Sequence, residues 1–396
     1  MKHIKTTKTA QLYFIFVFLL TSLTLMSCSP KKASYQSVAT IRPASHVKDF
    51  KDYVVLDAGS SPLSPLSADF NNDGYNDIAV ISHGQNHLKI FWGAPNRTFK
   101  PGPVYGEEQV GYHPGKITLV DWNNDGFKDI LLACEGISQV QLWINNGNGF
   151  TKRASVNLNF NPESIQVVDL NDDGKMDIVL GPHQGHEIMI LWRKPRFFSF
   201  DQEKIKTNPL TENVEVADWN KDARPDIFWI EKKYGSVAVA INRGHRNFKI
   251  KYIKKPGIPF GVVKDGPEYV KLADLNEDGC IDAAVPLEVG KACLIYYGNC
   301  MGGILKTERI PAPSWGYSGL AVIDKGQNHP PMLALGEELR IFIARKRQGS
   351  WKLIEKPAGS LPRDMSFFDI DMDGFIDVLF SNSAGKTIGI VWGPFE

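Results

Sequence analysis

Beyond residue 46 the hydrophobic positions come in short runs of period two, and the runs themselves recur. An apolar stretch ending in aspartate (ITLVD, IQVVD, VEVAD, VKLAD) leads into a polar loop and then an alternating run (DIAVIS, DILLAC, DIVLGP, DIFWIE, DAAVPL, DVLFSN). After a short polar turn comes a second alternating run (HLKIFWG, VQLWINN, EIMILWR, SVAVAIN, ACLIYYG, TIGIVWG), and often a Phe-led fourth, such as FKPGPVY or FKIKYIK. Alternation among β-branched and aromatic residues, punctuated by Gly, Asn and Pro, predicts strands, four to a repeat.

The polar loop carries the pattern Asp-x-Asn-x-Asp-Gly-x-x-Asp. It stands as DFNNDGYND from Asp69, DWNNDGFKD from Asp121, DLNDDGKMD from Asp169, DLNEDGCID from Asp274 and DIDMDGFID from Asp369, with a weaker copy, DWNKDARPD, from Asp218 and a nearly erased one at Asp324. Successive first aspartates lie 52, 48, 49, 56, 50 and 45 residues apart, which is the signature of a repeat array. The two ends close it. The 27 residues after Asp369 stop after a third strand, and FKDYVVL near residue 50 resembles the missing fourth. An all-β, seven-bladed β-propeller of four-stranded blades is expected over 46–396, with the N-terminal strand completing the last blade and no exposed sheet edge left open.

The segment before residue 46 reads differently. Lys2, Lys5 and Lys8 precede an apolar run from Leu12 to Leu25, too short to span a bilayer, and Leu25-Met26-Ser27-Cys28 follows at once. Residues 1–27 are expected to be a lipoprotein signal peptide, because Leu-x-Ser-Cys resembles a bacterial lipobox. Cys28 would carry the lipid and 28–45 would form a flexible tether. Ser29 is not the aspartate associated with inner-membrane retention, so the expected location is the outer membrane of the cell envelope. The 45 Lys and Arg nearly balance 44 Asp and Glu, so no global field argues for nucleic acid.

Calcium takes six to eight oxygen ligands, and an EF-hand-type loop supplies them from side chains at positions 1, 3 and 5 and a carbonyl at 7, with Gly at 6 for the turn. Five loops match that order: Asp69, Asn71, Asp73, Tyr75 and Asp77; Asp121, Asn123, Asp125, Phe127 and Asp129; Asp169, Asn171, Asp173, Lys175 and Asp177; Asp274, Asn276, Asp278, Cys280 and Asp282; Asp369, Asp371, Asp373, Phe375 and Asp377. The fifth member of each set, at position 9, is expected to close the shell. In the Asp218 loop Ala223 replaces the glycine, so that site is expected to be weak or empty, and the Asp324 repeat metal-free. Loop and strand frame together resemble FG-GAP or VCBS-type repeats, as in the propeller of integrin α chains. That resemblance implies the fold and calcium, but not an activity.

Four further cysteines, Cys134, Cys280, Cys293 and Cys300, allow three pairings in an exported protein, with a local bridge among the last three plausible from their spacing. Recognition is expected on the face opposite the aspartate loops. Its turns hold His83, His87, His183 and His186 with Glu135, Lys232, Tyr234 and Lys291; its links hold Tyr112, His113, Phe260, Lys264, Asp265, Glu268, Trp315 and Tyr317. The recurring Trp92, Trp143, Trp192 and Trp392, with Trp122 and Trp219, read as packing. No nucleophile elbow or paired-carboxylate signature stands out. A membrane-anchored binding or scaffold module for a glycan or protein ligand is therefore expected, with a lyase-like polysaccharide enzyme as the alternative.

Overall fold

The computed structural model describes residues 53–254, 267, 269–326 and 328–395. The expected signal peptide, Cys28, the tether, Phe260, Lys264, Asp265 and Glu268 lie outside the described residues. The protein is all-β. Its only helical pieces among the described residues are Glu107–Val110 and a 3-10 turn at His83–Gln85, and none is long and apolar enough to cross a membrane.

Strand pairing reproduces the repeat. Pro62–Ala68, Asp77–Ser82, His87–Ala94 and Thr98–Tyr105 form one antiparallel sheet, as do Pro114–Val120, Asp129–Cys134, Gln139–Asn145 and Phe150–Asn157. The third and fourth units share one long strand, Phe200–Ala217. Its first part pairs with Gly185–Arg193, its last part pairs with Asp226–Glu231, and the register shifts between Glu212 and Val214. Lys271–Ala273 opens the fifth unit, Gly319–Ile323 the sixth and Pro362–Phe368 the seventh. The described residues thus form seven four-stranded units. The last is completed by Tyr53–Asp57, whose Tyr53 and Asp57 register with Val391 and Thr387. First strands of consecutive units touch, and Pro62–Ala68 of the first meets the seventh, so the ring is closed: a β-propeller.

Burial explains the sequence pattern. Every second strand, from DIAVIS to DVLFSN, is buried along its whole length because neighbouring blades cover both of its faces. Fourth strands at the rim alternate, as in TFKPGPVY and FTKRASVN. The core is accordingly a set of interblade layers: Ala79, Ile81, Leu88 and Ile90 of one blade pack on Ile130, Leu132 and Trp143 of the next. Trp122, Trp143, Trp192, Trp219 and Trp392 are all buried, each worth on the order of 2–3 kcal/mol of apolar transfer.

Candidate functional site

At the end of each blade where the first strand hands over to the second, six loops adopt one geometry. Position 4 takes a left-handed φ in each (Asn72, Asn124, Asp172, Lys221, Glu277 and Met372), as does position 6 (Gly74, Gly126, Gly174, Ala223, Gly279 and Gly374). In the first loop Asp69 accepts the amides of Asp73 and Gly74 at 3.2 and 2.9 Å, Asp73 accepts that of Tyr75, and the Asn71 amide donates to Asp73 at 3.0 Å. Side-chain oxygens of positions 1, 3 and 5 are thereby gathered at one spot. Ala223 follows the same path at φ 64°, where its Cβ is strained as the sequence implied.

The position-9 aspartates do something further. Asp77 is fully buried, accepting the amide of Phe70 at 2.8 Å and that of Gly93 at 2.7 Å. The same pair of bonds recurs at Asp129 with Trp122 and Asn145, at Asp177 with Leu170 and Arg193, and at Asp226 with Trp219 and Asn242. Asp282 (Leu275 and Gly298) and Asp377 (Ile370 and Gly393) complete the set. Each ties its loop to the turn between the third and fourth strands of its blade. Burial, only partly offset by these amides, pushes Asp77, Asp177 and Asp226 up to about 6 and Asp282 and Asp377 up to about 7, with the neighbouring loop aspartates adding to the rise.

Do these residues fit a calcium ion? The donor set is all oxygen, as a hard cation requires. The loop from Asp369 is the best formed: Asp369, Asp371 and Asp373 present carboxylate oxygens all within 4.8 Å of one another, and Asp369 Oδ1 is buried with no hydrogen-bond partner. An orphaned buried acceptor is what an oxygen-ligated cation satisfies. In this loop positions 1, 3 and 5 therefore present oxygens that fit the ion, whereas position 9 could offer only the lone pairs its two amides leave free. Arg97 of the first blade also reaches this loop, at 2.5 Å from Asp371 and 3.1 Å from Asp373. In the Asp218 loop a cation is built in, since the Arg224 guanidinium at position 7 pairs with Asp222.

Lys175 at position 7 likewise pairs with the aspartate two residues before it, Asp173, at 3.4 Å, whereas Phe127 packs on the facing turn over Gly147. In the fifth blade that contact is covalent. Cys280 is joined to Cys300, which resolves the pairing, while Cys134 and Cys293 are buried thiols.

The opposite face collects the turns between second and third strands and the links between blades. His83 and His113 lie with ring centres 4.5 Å apart and planes tilted by 58°, and the Tyr112 ring centre is 4.1 Å from that of His113. His183 Nδ1 lies 3.4 Å from Glu163 and 3.8 Å from Glu135, and these partners, Glu163 foremost, raise it to about 9. His186 is exposed and His87 half-buried, and neither joins these groups. Trp315 is 63% exposed, with Lys291 Nζ 6.0 Å from its ring centre. The two line a cleft of about 410 Å³ with Glu288, Val289, Glu338 and Leu361. Tyr317 is a correction: it is fully buried, its hydroxyl donating to the Pro311 carbonyl and its ring edge-on to Phe342, so it belongs to the core under this face.

Sequence reading missed the axis. There the first strands carry a polar cluster in two adjoining chambers of about 160 and 70 Å³, which share Lys116, Ser164, Asn213, Tyr269 and Arg363. Lys116 pairs with Asp364 at 3.3 Å, Lys232 with Glu212 at 2.7 Å, and Lys271 with Glu215. Although burial pushes Asp364 and Glu163 up, Lys116 beside the first and His183 and Lys116 beside the second hold both below the ordinary carboxylate range. A signal existed: Ser64, Lys116, Ser164, Asn213, Tyr269 and Asp364 each stand five residues before the first aspartate of their loop, polar groups recurring in otherwise apolar strands.

Comparison with known proteins agrees with this architecture. FG-GAP-like repeats are recognised at residues 69–132 and 121–180. No curated protein sequence matches. Among solved structures, BBS1N in complex with ARL6DN aligns over 87% of this chain and 96% of its own, at 14% identity and a TM-score of 0.63. Virginiamycin B lyase from Staphylococcus aureus aligns over 86% and 100%, at 12% identity and 0.56. An Agrocybe aegerita lectin that recognises non-reducing terminal N-acetylglucosamine aligns over 84% and 85%, at 17% identity and 0.55. The chain carries FG-GAP-like repeats on a β-propeller; at these identities the structural likeness is one of fold.

Proposed function

We propose that this chain is an exported, lipid-anchored, seven-bladed propeller that binds calcium in five aspartate loops and uses the face opposite them to hold a glycan or protein ligand at the bacterial cell envelope. Calcium would sit on positions 1, 3 and 5 with the carbonyls of Tyr75, Phe127, Lys175, Cys280 and Phe375. There it compensates carboxylates that the loops crowd together, and pins each loop to the body of its blade. The observation that supports recognition on the other face is the Trp315 cleft. An exposed indole with a lysine over it and apolar walls beneath offers a stacking surface next to a charge, the combination that suits a sugar ring or a peptide side chain.

His183 bears on the enzymatic alternative. Held protonated by Glu163 and Glu135 to about pH 9, it is a poor general base at neutral pH, so His183 does not supply the base that a lyase reading needs. Glycan-array and peptide-display binding test the proposal. Binding that falls about tenfold or more in Trp315→Ala supports it. Release of unsaturated products absorbing in the ultraviolet from an acidic polysaccharide would replace it with the enzyme.

A further inference from the structure

The axial chambers hold one group that the scaffold leaves unused. Around them, three lysines each have a carboxylate: Lys116 has Asp364, Lys232 has Glu212 and Lys271 has Glu215. At the rim, Glu163 and Glu135 share His183. Arg363 lines both chambers yet has no carboxylate and no hydrogen bond from its guanidinium among the described residues, and its Nε is buried without a partner. The Arg363 side chain is only partly buried, but its Nε is shut off from solvent without an acceptor, which costs free energy that an anion held in the chamber would offset. Tyr269 stands with it. The Lys116 ammonium lies 4.9 Å from the centre of its ring, and its hydroxyl makes no hydrogen bond among the described residues.

We propose that the axial pocket is a binding site for a small monocarboxylate, held by the Arg363 guanidinium with the Tyr269 hydroxyl as a second donor. One unpaired guanidinium matches one negative charge, and guanidinium and carboxylate are complementary planar forks. A phosphate dianion fits worse. It would bring two charges to one free cation within a wall that already holds Glu163, Glu212, Glu215 and Asp364. The chambers are smaller than a drug-sized pocket, so the ligand is a single small acid or the acidic end unit of a longer chain. At the rim two carboxylates face one imidazole, leaving acceptor capacity for a hydroxyl on the same ligand. This site is separate from the Trp315 cleft, and either can fail without the other.

Ligand-observed NMR on the full chain, with D-glucuronate, acetate and inorganic phosphate as probes, decides it. Both carboxylates are expected to bind, and phosphate to bind more weakly than either. Arg363→Gln should weaken carboxylate binding about tenfold to a hundredfold, the range for a charge-assisted hydrogen bond, with melting unchanged because no described contact of the guanidinium is lost. Arg363→Lys, which keeps the charge and loses the fork, should fall between, and it serves as the test if the glutamine variant does not fold. Tighter binding of glucuronate than of acetate assigns the ligand to sugar acids, and equal binding assigns it to free small acids; either supports the site. Absence of carboxylate binding at millimolar concentration, undiminished binding in both variants, or tighter binding of phosphate would each overturn it.

Discussion

At one end of the propeller six loops repeat one hydrogen-bond scheme with almost no variation; at the axis, one equivalent position is filled by five residue types, serine alone recurring. Asp77, Asp129, Asp177, Asp226, Asp282 and Asp377 occupy equivalent positions and receive equivalent amides. Across the disc the corresponding ring is Ser64, Lys116, Ser164, Asn213, Tyr269 and Asp364. Identical residues at equivalent positions answer a need every blade shares, namely closing its own loop. Different residues at equivalent positions can only answer to one another or to a ligand. Repetition thus marks scaffold, and its breakdown marks where something specific is held.

That contrast is most easily broken at the buried aspartates. Asp77→Ala orphans two buried amides at about 2 kcal/mol each, so a loss of about 4 kcal/mol is expected by denaturant unfolding. A loss under about 1 kcal/mol would reduce position 9 to a turn former. Asp364→Ala leaves Lys116 in the channel without its carboxylate and should cost about 3 kcal/mol. Reducing Cys280–Cys300, which encloses a separation of 20 residues, should cost about 3 kcal/mol in chain entropy. Ala223→Gly is the smallest change: relief at φ 64° against added chain entropy should gain about 0.5 kcal/mol.

Acidity sharpens the comparison without a mutation. In metal-free protein the position-9 aspartates bind protons more tightly folded than unfolded. Their contribution is therefore full below the ordinary aspartate value of 3.8 and is lost as pH rises through about 6 to 7. Melting temperature in chelator should fall across that window. Calcium binding needs the ionised carboxylates, so with calcium present the trend should flatten or reverse. A metal-free protein that grows more stable from pH 5 to 7 would contradict the burial of these groups.

Much of the scaffold was legible because it is written seven times. Four strands per repeat, closure by the strand at Tyr53–Asp57, and packing by Trp122, Trp143 and Trp192 all follow from period and recurrence. Position 9 was read as a ligand, and its role as a strut was not visible, because the amide of Gly93 lies 16 residues beyond Asp77 and local spacing does not reveal it. The Cys280–Cys300 pairing needed the geometry of loop against turn. Tyr317, two residues from exposed Trp315, is buried although period-two alternation would put both on one face, because the link at 312–318 is irregular backbone and not a strand. The axial cluster was missed for a different reason. Its members share an offset within the repeat, not a residue type, so a motif search passes over them.

The central claim is that the aspartate loops hold calcium, and thermal unfolding of chelated, verifiably metal-free protein during calcium titration tests it most directly. A ligand bound only by the folded state at a hundred times its dissociation constant adds about 2.7 kcal/mol per site. The account predicts a large, saturable rise in melting temperature, lost stepwise as Asp69, Asp121, Asp169, Asp274 and Asp369 are replaced by alanine and unaffected by Asp218→Ala. A transition that stays where it was at saturating calcium would contradict it.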